Sequence, residues 1–217
     1  VCGRFTLAVP GEELVEIFSV PLPDFEIRAR FNVAPGQDVL VVGEDRRGRR
    51  MGRLRWGLVP AGRHEPSNPF VNARGETLAR TPSFRDAFHR RRCLVPADGF
   101  YEWRRGAGGG PFLFRPVLGG VLALAAVWEH WEAPGHPPRD GLALVTVAAN
   151  ADVAPVHDRM PALVSHADVP LWLDRSASSE RLQTLLVPAP AGSLRAQRVS
   201  HRVSSVSEDD AGLIEPV

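Results

Sequence analysis

The chain opens VCGRF, and Cys2 is one of only two cysteines in 217 residues. A terminal segment usually frays and tolerates change, so an accident of sequence is one reading. The chemical reading is that Cys2 becomes the first residue of the mature protein and acts as a reagent. The rest of the composition sharpens this second reading. All 26 basic residues are arginines and none is lysine. Genome base composition explains that bias, but it leaves the α-amine as the only primary amine in the molecule. An imine with a carbonyl compound can form nowhere else. A free α-amine titrates at about 7.7–8.0, against about 10.4 for lysine, so roughly a tenth of it is neutral and nucleophilic at pH 7.

Three other stretches carry polar groups in unusual settings. FVNARGET sets Asn72 and Arg74 beside Phe70 and Val71. ADGFYEW sets Glu102 between Tyr101 and Trp103, where a carboxyl group can be desolvated. PVHDRMP packs His157, Asp158 and Arg159 between two prolines. Each has a structural alternative. A lone histidine is more often structural than catalytic, a glutamate between aromatics can point to solvent, and an asparagine before a turn often satisfies backbone groups. Cys93, in RRCLVP, reads as a small buried hydrophobe. No CxxC or HxxxH spacing supports a metal site.

The elements that must position these groups are short. PGEELVEIFSV reads as an amphipathic helix with Leu14, Ile17 and Phe18 on one side. DVLVVGED reads as a strand, and RRGRRMGRLRW as a basic hairpin-like stretch. TPSFRDAFHRRR carries a helix start, with Thr81 as N-cap and Pro82 at the first helical position. CLVPADGFYEW alternates like a strand broken at Pro96. RRGAGGGPF reads as a hairpin tip, followed by strands at 112–115 and 121–128. LALVTVAA is a buried strand, SHADVPLWL and SSERLQTLL are short helices, and QRVSHRVSSV is a last strand. There are no repeats and no long linker, so many strands and few helices indicate a single α+β domain over 1–217.

Length and composition exclude several classes. With 44% hydrophobic residues the chain can bury a substantial core. Two cysteines make no disulfide framework, and a reducing cytoplasm is the default. No apolar run spans a membrane, and no secretory signal is expected. The net charge of +1 hides an asymmetry. Residues 46–105 hold 15 arginines against five acids, a local charge of +10, and the remainder carries −9. Such a stretch points to a polyanionic partner, unless folding disperses the charge over the surface.

Taken together, the motifs resemble one family. CGRF, RFNVAPG at 30–36, RWGLVP at 55–60, VNARGET at 71–77 and RRCLVPADGFYEW at 91–103 run in its order. AAVWE at 125–129, VTVAAN at 145–150 and HDRMP at 157–161 complete the series. The chain resembles the SOS-response-associated peptidase (SRAP) family, whose members crosslink to abasic sites in single-stranded DNA. The resemblance implies an SRAP-like domain with a barrel-like core, no cofactor and no metal. It implies a catalytic set of Cys2, Asn72, Glu102 and His157. Contacts to DNA would come from Arg4, Asn32, Pro35, Trp56, Arg74 and Arg159. Guanidinium forks suit phosphate oxygens. Trp56 and Pro35 would stack or wedge against bases, with core packing the alternative for Trp56.

The resemblance also implies a reaction. The α-amine of an N-terminal cysteine attacks the ring-opened aldehyde of an abasic sugar and gives an imine. The thiol of the same residue then closes onto the imine carbon as a thiazolidine, an intramolecular step. Asn72 would hold Cys2, Glu102 would take a proton from the ammonium, and His157 would help open the sugar. An imine at C1′ also permits β-elimination of the 3′ phosphate, a lyase side activity. The expected partner is single-stranded DNA carrying abasic sites, and the expected setting is a bacterial cytoplasm, at the nucleoid when bound to DNA, with the protein a monomer.

Three departures stand out. Val1 precedes Cys2 where the family begins Met-Cys, and a GTG start codon read literally accounts for it. VSSVSEDD lacks an asparagine expected after VSxxV, and AGRHEPSNP lacks the tryptophans some members carry. Two rival functions remain: a peptidase or amidohydrolase with Cys2 as N-terminal nucleophile, and a non-covalent single-strand binder.

Overall fold

Burial decides the longest hairpin. Val39, Val41 and Val42 are buried along one segment, and Met51 and Trp56 along the next, while the arginines between them stay at or near the surface. The hairpin belongs to a computed structural model that describes residues 2–64, 68–106 and 108–217. Val1, residues 65–67 of the AGRHEPSNP loop and Ala107 of the RRGAGGGPF tip lie outside the described residues.

In chain order the elements are β1 (Arg4–Leu7), α1 (Gly11–Phe18), β2 (Arg30–Val33), β3 (Asp38–Asp45), β4 (Gly48–Trp56) and β5 (Asn72–Arg74). There follow α2 (Arg85–Arg90), β6 (Arg92–Ala97), β7 (Gly99–Arg104), β8 (Gly110–Pro116), β9 (Leu122–Trp131) and β10 (Arg139–Ala148). The chain ends with β11 (Arg159–Pro161), β12 (Leu163–Val164), α3 (Val169–Leu173), α4 (Ser179–Gln183) and β13 (Leu194–Arg198). This is the α+β class expected from the sequence. Among the described residues no helix is long and apolar enough to cross a membrane.

The strands form two sheets. One has the antiparallel order β13-β8-β7-β1-β2. In the other, β10, β4, β3, β6 and β9 pair in succession, and β9 pairs back onto β10. The result is a closed ring of strands, in keeping with the strand-rich, barrel-like core expected from the sequence. The ring is uneven: β3 meets β6 at the single pair Val42↔Leu94, and β4 meets β10 through two parallel pairs. β4 and β5 lie end to end along β10, with β5 continuing at Leu144↔Asn72. A side chain at Gly141 would collide with the Gly57 carbonyl, so this junction requires glycine.

Three local expectations shift. α2 starts at Arg85, because the Thr81 hydroxyl donates back to the Thr77 carbonyl at 2.9 Å and closes the preceding turn instead of capping. The break between β6 and β7 falls at Asp98, whose carboxylate accepts from the Ala8 amide at 3.0 Å. Pro96 stays inside β6, beyond the one β3–β6 pair, where that side of the strand needs no ladder donor. The last strand ends at Arg198, and Ser200 caps a 3₁₀ turn over His201–Ser204.

Candidate active site

Register places the chain's beginning. β1 pairs antiparallel with β7 through Arg4↔Tyr101, Phe5↔Phe100 and Thr6↔Gly99. Continued by one step, the register sets Gly3 opposite Glu102. Cys2 is fully buried there, within the main hydrophobic core. Its carbonyl accepts a hydrogen bond from Asn72 Nδ2 at 3.2 Å. Its backbone N–H donates to the Glu102 carboxyl, and its sulfur receives the Arg4 backbone N–H.

The partners come from separate segments. Asn72 opens β5, which β10 holds in parallel register. Glu102 sits in β7 with its side chain only 3% exposed. His157 ends the turn between β10 and β11. Asn150 builds that turn: its Oδ1 accepts from the amides of Asp152 and Val153, and its carbonyl accepts from the Ala154 amide. The Val153 carbonyl then takes the His157 amide at 3.0 Å. His157 Nε2 lies 3.9 Å from Glu102 Oε2, close enough for charge to matter but too far for a direct hydrogen bond.

Burial sets the electrostatics. It pushes the Glu102 carboxyl up to about 7, with Asp158 adding to the rise and the Cys2 N–H opposing it. Burial also holds His157 below its ordinary value, against the pull of the Asp158 carboxylate 3.1 Å from Nδ1. The Arg159 amide donates to Nδ1 at 3.0 Å, so a neutral ring keeps its proton on Nε2, facing Glu102. The Cys2 thiol is driven far up, first by burial and then by the Glu102 charge, so the sulfur stays protonated at neutral pH. The site therefore pairs a half-titrated carboxyl with a neutral imidazole near pH 7, a combination suited to moving protons.

The expected DNA contacts fare unevenly. Trp56 is completely buried, packs against Phe5 with its ring tilted at a centroid distance of 5.4 Å, and donates from Nε1 to the Val71 carbonyl at 2.8 Å. It offers no face to a base; it is a core residue that fixes the approach to Asn72. Trp56→Ala is expected to destabilise the fold by about 3–5 kcal/mol in urea unfolding. Single-strand binding by the protein that remains folded should be unchanged.

Asn32 is also fully buried. Its Nδ2 donates to the carbonyls of Ser205 and Glu208, at 2.8 and 2.7 Å, and its Oδ1 accepts from Arg4 at 2.9 Å. With its side chain so committed, it clamps the C-terminal segment instead of meeting DNA. Arg4 is drawn into the same clamp, donating to the carbonyls of Val203 and Ser204. Arg159 grips Glu76 with both nitrogens, at 2.5 and 2.9 Å, and donates to the Thr146 carbonyl. Arg74 is exposed, and Pro35 is half-buried at the turn after β2.

The sequence reading missed this C-terminal support. Asp209 accepts from the amides of Phe31 and Asn32 and pairs with Arg30. Tyr101, Leu113, Val199, Val203 and Leu213 form a small second core beneath it. No local signal marks Asp209, which lies 178 residues from Phe31. Asn150 lies inside the motif VTVAAN, and only the fold shows that it builds the turn leading to His157.

Comparison with known proteins adds a separate line. The family model described as SOS response associated peptidase (SRAP) matches residues 1–206. The abasic site processing protein YoqW of Bacillus subtilis is 35% identical over 222 aligned positions, covering 99% of both chains. The abasic site processing protein YedK of Escherichia coli is 30% identical and covers all of both. A crystal structure of a Bacteroides thetaiotaomicron protein shares the fold, with a TM-score of 0.89 at 18% identity over the full length of both chains.

Proposed function

Because this chain belongs to the SOS response associated peptidase (SRAP) family, we propose that it processes abasic sites in DNA by capturing them covalently through Cys2, in single strands. Two relatives bear the name abasic site processing protein. The observation that carries the mechanism is the seating of Cys2, with its carbonyl on Asn72, its nitrogen on Glu102 and His157 beside that carboxyl.

In this reading Asn72 holds the backbone while the α-nitrogen faces Glu102. Glu102 accepts a proton from the ammonium, freeing the lone pair. The sugar opens first: His157 Nε2–H donates to the ring oxygen as its bond to C1′ breaks, and the C1′ hydroxyl returns a proton to the imidazole, leaving an aldehyde. The nitrogen then attacks that carbon, and a proton passes from nitrogen to the former carbonyl oxygen. Loss of water gives the imine. The thiol S–H then adds across the C=N bond: sulfur bonds to C1′, and its proton passes to the nitrogen. The product is a thiazolidine. The buried thiol stays protonated, so the amine leads the attack and the thiol follows by intramolecular ring closure. The same imine permits β-elimination of the 3′ phosphate once a base takes a C2′ proton. Arg74 and Pro35 supply the surface contacts to the strand, and Arg4 and Arg159 act by positioning.

The test is direct. Incubation with a single strand carrying one abasic site should give a band of reduced mobility that survives denaturing electrophoresis. A strand bound in a salt-sensitive way without any such band would support the non-covalent rival. Turnover of unrelated peptides would support the peptidase.

The reading also requires Cys2 to carry a free amine. Intact mass is expected to show a chain beginning at Cys2. Protein retaining any residue ahead of it has an amide nitrogen there and should form no covalent product.

A further inference from the structure

The positive charge of residues 46–105 is not consumed by the Cys2 site. Part of it lines a groove of about 540 Å³ between the β3–β4 hairpin, the end of α2, β6 and the end of α3. Arg50, Arg53, Arg90 and Arg175 are exposed at its edges, Arg91 is half-buried in its wall, and its two carboxylates, Glu44 and Asp45, are paired with Arg49 and Arg50. Apolar surface from Met51 and Leu54 lies between them, beside the half-exposed indole of Trp128. None of Cys2, Asn72, Glu102 or His157 lines this groove.

The charges there are unequally matched. Arg50 pairs with Asp45, and Arg91 with Glu129 at 2.6 Å. Arg92 is buried, and its hydrogen bonds go to the backbone carbonyls of Phe88, His89, Trp172 and Asp174. Those dipoles satisfy its donors without cancelling its charge. Burial pushes Arg92 down to about 10, opposed by the nearby Asp174 carboxylate and aided by the Arg175 cation, so it remains charged at neutral pH. A fixed cation thus lies below two exposed ones, Arg90 and Arg175.

We propose that this groove holds a segment of single-stranded nucleic acid, with phosphates on Arg90 and Arg175 and one base stacked on Trp128. Separated guanidinium groups around an aromatic face match the alternation of phosphate and base along a single strand. An acidic peptide would satisfy the arginines but leave the indole uncovered. The inference builds on the reading that the chain works on DNA, and extends it to nucleotides away from the reacting sugar.

The experiment uses the full chain and undamaged oligothymidylate, so that Cys2 chemistry does not enter. Arg90→Glu with Arg175→Glu is a surface change that should leave the fold intact, as circular dichroism can confirm. Affinity for a strand of about 20 nucleotides is expected to fall about tenfold or more. The slope of log affinity against log salt should shrink by about 1.4, as two lost single-strand phosphate contacts predict. Photo-crosslinking of a strand carrying 5-iodouracil should label the peptide that contains Trp128. Crosslinking to an abasic site within a very short oligonucleotide should proceed in this variant at the wild-type rate. Unchanged affinity and slope in the folded double variant, or photo-adducts confined to other peptides, would overturn the proposal. So would competition for the groove by an acidic peptide but not by a single strand. Normal binding to undamaged strands without any covalent product would count against the Cys2 mechanism and leave the groove standing.

Discussion

Cys2→Ala is expected to leave no product that survives heat and denaturant. The substitution removes the sulfur but keeps the α-amine, which is the only primary amine in a chain without lysine. The imine should still form, and reduction with borohydride during the reaction should trap it as a stable amine. Without the thiol, nothing closes onto the imine carbon, and the unreduced imine hydrolyses back. The Cys2→Ala protein should therefore show a band with borohydride and none without, whereas the wild type shows one in both. Ring closure within one residue is intramolecular, which is why so small a change has so large an effect. Packing changes little, since cysteine and alanine are both small apolar residues at this buried position. A persistent band from the unreduced variant would remove the thiazolidine from the mechanism.

Glu102→Gln is expected to slow covalent capture by about 10²–10⁴-fold, the range typical of a positioned acid–base group. Affinity for an undamaged strand should hardly change. The pH profile separates a proton-transfer role from a structural one. In the wild type the rate should rise with pH through about 7, where Glu102 loses its proton. The variant should lack that limb. Stability should move the other way. The folded chain holds this proton up to about 7, against 4.5 for the ordinary group. Between those values the folded state binds more protons than the unfolded state, so stability falls as pH rises, with the full cost present above about 7. The shift corresponds to roughly 3 kcal/mol. Urea unfolding at pH 8 should therefore favour the variant over the wild type by more than it does at pH 5. Equal differences at the two pH values would place Glu102 in an ordinary solvated environment.

These two residues also mark what local reading can reach. Glu102 stands out because aromatics flank it, and Cys2 because of its place in the chain. The same kind of reading could not separate a DNA contact from a core role at Trp56, and it misplaced Asn32; both carry groups suited to DNA but are fully buried. Asn32 is consumed by carbonyls more than 170 residues away, and Trp56 by Phe5 and the Val71 carbonyl. Arg4 and Arg159 kept their guanidinium chemistry, but the fold turned it onto Val203, Ser204 and Glu76. Arg92 shows the same effect: a run of three arginines sends Arg90 to the surface, leaves Arg91 half-buried and places Arg92 inside.

The sequence alone determined what reactions are available. Residue type sets the chemistry: one primary amine, a thiol on the same residue, and carboxyl, amide and imidazole groups in unusual settings. Alternation along the chain set the hairpins and the strand-rich class, because burial of one strand face is a local requirement. Only the tertiary structure decided which polar groups meet. Asn72, Glu102 and His157 reach Cys2 through pairings between β1 and β7, β5 and β10, and β10 and β11. Those pairings join distant segments, and with them come the burial that raises Glu102, lowers His157 and keeps the thiol protonated. Desolvation belongs to the assembled core, so no single stretch of the chain can reveal it.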